Sequence, residues 1–201
     1  MLLRRTPHSL RSGSVIIRGC TFSRRGLHTL FKLFPQTFPQ GTPTWDVDQS
    51  LLRREYRNLQ AKVHPDANSN AATDESSTLN KNYHTLKDPL RRAQYLILLH
   101  EGVDLTSDEQ SKAQSFVPPT LLMEVLEVHE ELQYAEDAAV VSKIAAENKA
   151  RIDAVQESLG RAFRTGDYAA AISLTVELKY WTNLAKAIKE WSPGARIDLS
   201  H

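Results

Sequence analysis

The chain has 201 residues, 25 basic and 24 acidic, with 41% hydrophobic residues, 8 Gly and one Cys. That length and apolar content suit one domain or two small ones with a real core. The lone Cys20 excludes a disulfide framework and any cysteine-rich zinc or iron–sulfur site, and the lack of a glycine-rich loop argues against a nucleotide-binding enzyme. No apolar run approaches the roughly 18 residues of a bilayer span, so no membrane insertion is expected.

The near-neutral balance conceals an asymmetry. From Met1 to Thr44 there is no Asp or Glu, yet Arg4, Arg5, Arg11, Arg18, Arg24, Arg25 and Lys32 all fall there, so the remainder carries a net charge of −6. An arginine-rich, serine-containing, acid-free N-terminus has the composition of a mitochondrial presequence, and residues 1–26 are expected to be one, with the matrix as destination. A basic arm for nucleic acid is the competing reading. It predicts salt-dependent binding that disappears with residues 1–25, and the composition favours the presequence, with no nucleic acid as partner.

The first helical pattern runs from Asp48 to Val63. Leu52, Tyr56, Leu59 and Val63 recur at steps of four, three and four and form one narrow stripe, with Asp48 available as cap. Arg53, Arg54 and Arg57 occupy the opposite face, with Lys62 to one side. His64-Pro65-Asp66 follows, where Pro65 forces the chain out of helical geometry. Leu79, Tyr83 and Leu86 form a second stripe, so a helical hairpin is expected, and Asp88-Pro89 reads as cap and first residue of a further helix to about His100. Gly102 to Pro118 is polar and reads as a connector.

Three longer patterns follow. The first runs from about Pro119 to Asp137. The second carries Val141, Ala145, Asn148, Ile152, Val155, Leu159 and Phe163 on one face, and Gly166-Asp167 supplies a stop and a new cap. The third carries Leu174, Leu178, Trp181, Ala185 and Ile188 and ends before Pro193. With no period-2 run of useful length, the expectation is all-α, closing in an up-down-up bundle.

His64-Pro65-Asp66 could be read as an acid–base pair, but no nucleophile or third group accompanies it, and two ligands do not make a metal site. The run from Tyr56 to Asp66 resembles the second helix and HPD loop of a J domain, although Ala67 stands where the usual pattern has Lys. The stretch from Leu79 to Leu96 resembles the corresponding signature of HscB-type co-chaperones, and Leu122 to Leu132 resembles the start of that family's C-terminal domain. With only Cys20, the chain lacks the four-cysteine zinc module of some animal members and is similar to the fungal mitochondrial form.

The resemblance implies a J domain over 27–101, a connector over 102–117, a scaffold-binding three-helix bundle over 118–192 and a tail over 193–201. It implies a protein that is not an enzyme and needs no cofactor: a co-chaperone that stimulates the ATPase of a DnaK-type mitochondrial chaperone and delivers the iron–sulfur scaffold protein to it. It further implies that His64, Pro65, Asp66, Arg53, Arg54, Arg57 and Lys62 contact the chaperone. Leu122, Met123, Leu126, Glu127, Glu130 and Tyr180 match the scaffold-binding positions.

Periodicity tests the last set separately. Leu121, Val125, Val128 and Leu132 share one stripe and should face the bundle, while Leu122, Met123 and Leu126 lie well off it, beside Glu127 and Glu130. No Lys or Arg occurs from Ala113 to Ser142, so the polar side of this helix is uniformly acidic. By periodicity alone this second face could pack in a core or meet a partner. A J-domain adaptor for another client, such as the protein-import machinery, is the alternative, and it predicts that Leu122, Met123 and Tyr180 are buried. Trp45 is expected to pack on the hairpin, Trp181 and Trp191 in the core or at its edge, and Arg91-Arg92 on a solvated face.

Overall fold

The computed structural model describes residues 29–63, 70–106 and 118–192. The expected presequence with Cys20, the His64-Pro65-Asp66 loop with Ala67, connector residues 107–117 and tail residues 193–201 lie outside the described residues. Among the described residues there are six α-helices and no strand: α1 (Gln49–Val63), α2 (Asn70–Lys87), α3 (Pro89–Glu101), α4 (Pro119–Gln133), α5 (Ala138–Thr165) and α6 (Tyr168–Glu190). A single 3-10 turn, Leu30–Leu33, precedes them.

Most helix ends follow the capping chemistry in the sequence. Asp48 Oδ1 accepts from the Ser50 and Leu51 amides at 2.9 Å, and Asp88 Oδ1 accepts from Leu90 and Arg91 at 2.8 and 3.2 Å. Each such cap is worth about 1 kcal/mol. Gly102 and Gly166 end α3 and α5 at φ +70° and +72°, a conformation that a side chain would strain. One boundary differs from the periodic reading. The acidic helix stops at Gln133 rather than Asp137, because Asp137 is instead the N-cap of α5, its carboxylate accepting from the Ala139 amide at 2.9 Å.

In the N-terminal module α1 packs on α2 and α2 on α3. Leu52 of the predicted stripe is buried, Tyr56 and Leu59 are half-buried against the core, and the Tyr56 ring stacks on Tyr83 at 3.9 Å. Phe31, Phe34 and Phe38 of the segment before α1 are buried beside them. Glu55, only 2% exposed, holds that segment: its carboxylate accepts from the Gln36 and Thr37 amides at 2.8 Å and the Thr37 hydroxyl at 2.7 Å.

The C-terminal module is the expected three-helix bundle, with α6 packed against both α5 and α4. Leu132, Ile144, Leu159, Leu178, Trp181 and Leu184 are almost fully buried, each contributing on the order of 2 kcal/mol. Trp191 lies at the edge of this core. The buried face of α6 is wider than the predicted stripe, taking in Ala171, Ile172, Thr175 and Val176, because α6 also packs against α3.

That contact joins the modules. His100 of α3 stacks on Tyr168 of α6 at 4.6 Å, and its Nδ1 is 3.0 Å from the Tyr168 hydroxyl. Trp45 bridges further: the Arg92 guanidinium lies 4.6 Å over its ring, and Phe163 of α5 stacks on it at 5.5 Å. Gly160, inside α5, presents bare backbone to the Trp45 indole; a Cβ there would come within 3.2 Å of Cδ1 and Nε1. Glycine in a helix interior costs about 1 kcal/mol relative to alanine, which this close approach explains. Trp45 therefore packs at the junction rather than on the hairpin alone. Arg92 corrects the expectation of a solvated face: it is 5% exposed, and its Nη1 donates to the Leu86 carbonyl at 2.6 Å. Burial lowers its pKa to about 10, against the opposing pull of Asp88 and Asp46.

Candidate functional site

Two surfaces carry the candidate residues, one on each module. On α1, Arg53, Arg54, Arg57 and Lys62 are all exposed, and none is held in an ion pair among the described residues. The reason is geometric: Leu52, Glu55, Tyr56 and Leu59 turn toward α2 and the N-terminal segment, which leaves the arginines outside. The three guanidinium groups can meet an acidic partner with charge-assisted, bidentate geometry, and the Lys62 ammonium adds a point charge. His64, Pro65 and Asp66 directly follow α1 in the chain and lie outside the described residues.

The second surface is on α4. Leu121, Val125, Val128 and Leu132 are buried, which accounts for one face of the helix. Leu122 at 39%, Met123 at 63% and Leu126 at 54% exposure form the other. Leu122 and Leu126 stand one turn apart, as do Met123 and Glu127, so the three apolar side chains share a strip with Glu127 and Glu130, both exposed. Core packing therefore does not explain this face. Glu124 differs from its acidic neighbours: Arg151 Nε of α5 donates to it at 2.9 Å, while that guanidinium lies 5.1 Å over the Trp181 ring.

Tyr180 sits on α6, the helix that packs on α4, and is half-buried against the core rather than fully exposed. His129, on α4 between the buried and exposed faces, has its pKa lowered by burial. No cluster of three or more potential metal ligands occurs among the described residues. Among them, too, no helix is long and apolar enough to cross a membrane.

Sequence reasoning passed over Glu55 and placed Arg92 on a solvated face, yet both secure the N-terminal module. Both had a legible signal. Glu55 lies on the Leu52–Tyr56–Leu59 side of α1, and Arg92 stands one turn before Leu96. A charge inside an apolar stripe marks a buried hydrogen-bonding post.

Residues 44–95 match the family model for the DnaJ domain, and residues 117–189 match that for the HSCB C-terminal oligomerisation domain. The chain is 49% identical to the mitochondrial J-type co-chaperone JAC1 of Saccharomyces cerevisiae over 178 residues, covering 89% of this chain and 96% of that protein. It is 33% identical to the iron-sulfur cluster co-chaperone protein HscB of Mus musculus over 150 residues, covering 71% of this chain and 62% of that protein. Among solved structures, the Jac1 co-chaperone from Saccharomyces cerevisiae superposes with a TM-score of 0.76 at 49% identity, covering 87% of this chain and 100% of that one.

Proposed function

Because the chain belongs to the HscB family of J-type co-chaperones, we propose that it stimulates ATP hydrolysis by a mitochondrial DnaK-type chaperone and delivers the iron–sulfur scaffold protein to it in the matrix. The family is one of co-chaperones rather than enzymes. The chemistry resides in the chaperone's nucleotide site, and cluster transfer to acceptors follows from coincidence of client and chaperone.

The observation that carries the reading is the two-sided α4, whose exposed Leu122–Met123–Leu126 strip is flanked by carboxylates with no cation of their own helix to neutralise them. The apolar groups supply affinity when desolvated, and Glu127 and Glu130 select a basic scaffold surface. Tyr180 adds an aromatic contact from the adjacent helix. On the other module, Arg53, Arg54, Arg57 and Lys62 steer α1 onto an acidic chaperone surface, and His64, Pro65 and Asp66, which directly follow α1 in the chain, engage the chaperone beside it. Joining two modest affinities in one molecule raises the local client concentration at the chaperone.

Single-turnover ATP hydrolysis by the chaperone, with and without scaffold, tests both halves. His64→Gln should abolish stimulation. The combined Leu122→Ala/Met123→Ala/Leu126→Ala variant should keep stimulation in the absence of scaffold and weaken scaffold binding by about a hundredfold, the scale expected for truncating a central apolar anchor. Stimulation that survives without His64 would remove the J-domain role. A wild-type protein indifferent to scaffold would point to another client, such as the import machinery.

A further inference from the structure

The exposed strip of α4 presents half of a chemical match, and the other half lies in this same chain. Leu122, Met123 and Leu126 meet water beside Glu127 and Glu130, and neither carboxylate is in an ion pair among the described residues. With no Lys or Arg from Ala113 to Ser142, no cation near in sequence neutralises them. Such a surface accepts a ligand that interleaves apolar groups with cations. Two parts of the chain carry cations in excess. The outer face of α1 matches the charge alone, because Ala61 is the one apolar residue exposed beside Arg53, Arg54, Arg57 and Lys62 among the described residues. Residues 1–28 match both: six arginines and no acid alternate with Leu2-Leu3, Leu10, Val15-Ile16-Ile17, Phe22 and Leu27.

The point of attachment is near enough. The Leu30 amide is anchored on Tyr95 of α3, α3 packs on α6, and α6 packs on α4. Two helix-to-helix steps amount to about 20 Å, and even the full length of α5, 28 residues, adds only about 42 Å. Residues 1–28 can span about 90 Å when extended. We propose that this segment, while attached, occupies the α4 strip of its own chain and covers it against client, so that losing the segment opens the strip. Its apolar residues lie against Leu122, Met123 and Leu126, and its guanidinium groups meet Glu127 and Glu130. The consequence for client binding rests on the scaffold-delivery reading above, whereas the contact itself does not. An occupant in cis needs little affinity of its own. Tethering supplies an effective concentration on the order of 1 mM, so a segment with a dissociation constant of about 0.25 mM weakens client binding about fivefold.

The test uses the full chain. Met123, 63% exposed, is replaced by the photo-crosslinker p-benzoylphenylalanine, and the products of illumination are mapped by mass spectrometry. Scaffold affinity is measured in parallel for the wild-type chain and for one with Arg4, Arg5, Arg11, Arg18, Arg24 and Arg25 all changed to Gln. Those six positions precede the first described residue, so both cores keep their contacts. Position 123 should crosslink to residues 1–28 of the same chain, with a yield independent of protein concentration. That yield should fall several-fold in the six-glutamine chain and in Glu127→Gln/Glu130→Gln. The six-glutamine chain should bind scaffold about fivefold more tightly than wild type, and the difference should shrink between about 0.05 and 0.5 M salt. Crosslinks that join two chains, with a yield rising with concentration, would overturn the proposal in favour of a second copy on the strip. Scaffold binding without any crosslink to residues 1–28 would overturn it and leave scaffold delivery standing. Equal scaffold affinity in the two chains would overturn it even with the crosslink present, since the contact would then cover nothing. If neither chain binds scaffold while the crosslink forms and depends on Glu127 and Glu130, the scaffold reading fails and the contact in cis is upheld.

Discussion

The two halves of the molecule hold their helices in place by different means. In the bundle, α4, α5 and α6 meet through long aliphatic faces, with Asn148 as a buried polar contact, its Nδ2 donating to the Trp181 carbonyl at 3.0 Å. In the J module the segment before α1 has one short turn and no α-helix, and its position is held by Glu55, by three buried phenylalanines and by the Leu30 amide donating to the Tyr95 hydroxyl at 3.1 Å. The Tyr56, Gln60 and Asn80 side chains add a hydrogen-bonded seam between α1 and α2. Periodic helices find their register through packing alone, whereas an irregular segment needs hydrogen bonds to specify where it lies.

That contrast can be broken from either side. The largest effect is expected from Trp181→Ala, which empties the most deeply buried ring of the bundle and should cost about 4 kcal/mol in urea unfolding. Glu55→Gln is next, at about 2 kcal/mol, because two amides and a hydroxyl lose their ionised acceptor. Hydrogen exchange localises that loss: the Gln36 and Thr37 amides should exchange faster while amides of α5 keep their protection. Smaller still, the Leu122→Ala/Met123→Ala/Leu126→Ala variant should lose less than about 1 kcal/mol, since those side chains already meet water; a larger loss would mean that the strip is core after all.

The smallest effect is electrostatic. Burial lowers the His129 pKa, so as pH falls below the usual histidine value the unfolded chain takes up a proton that the folded bundle resists. Stability from this group is present above that value and lost on acidification toward the folded pKa. Urea midpoints at pH 7.5 and 5.5 should differ less in His129→Gln than in the wild type. Arg92 acts in the same sense, but only in strong alkali: below its folded pKa of about 10 it is charged in both states, so it adds no pH dependence near neutrality.

Legibility in the sequence followed the same division. The bundle could be read from spacing, since Leu121, Val125, Val128 and Leu132, and later Val141, Val155 and Leu159, lie where a helical stripe puts them and are buried there. The split of α4 into a covered and an uncovered face was readable for the same reason, though which face meets a partner is not a property of periodicity. In the J half, local patterns missed the tertiary partners. Nothing near Arg92 announces that Trp45 will stack on it, and nothing near Glu55 names Gln36 and Thr37, because those contacts join segments without a shared repeat. The Asp137 cap was misjudged because a polar residue between two helices can end one or begin the next.

The central position of α6 bears on the order in which the molecule can assemble. Helices α3, α4 and α5 all pack on it, yet it follows them in the chain. During synthesis the J-module helices and the first two bundle helices emerge with a face still open to water, and neither module is complete until the last helix arrives. Closure is then a long-range event that joins residues far apart along the chain, the kind of contact that makes folding slower and more cooperative than the local helices alone would suggest. A chain halted after Gly166 would hold most of the helices of this fold and yet have no finished core.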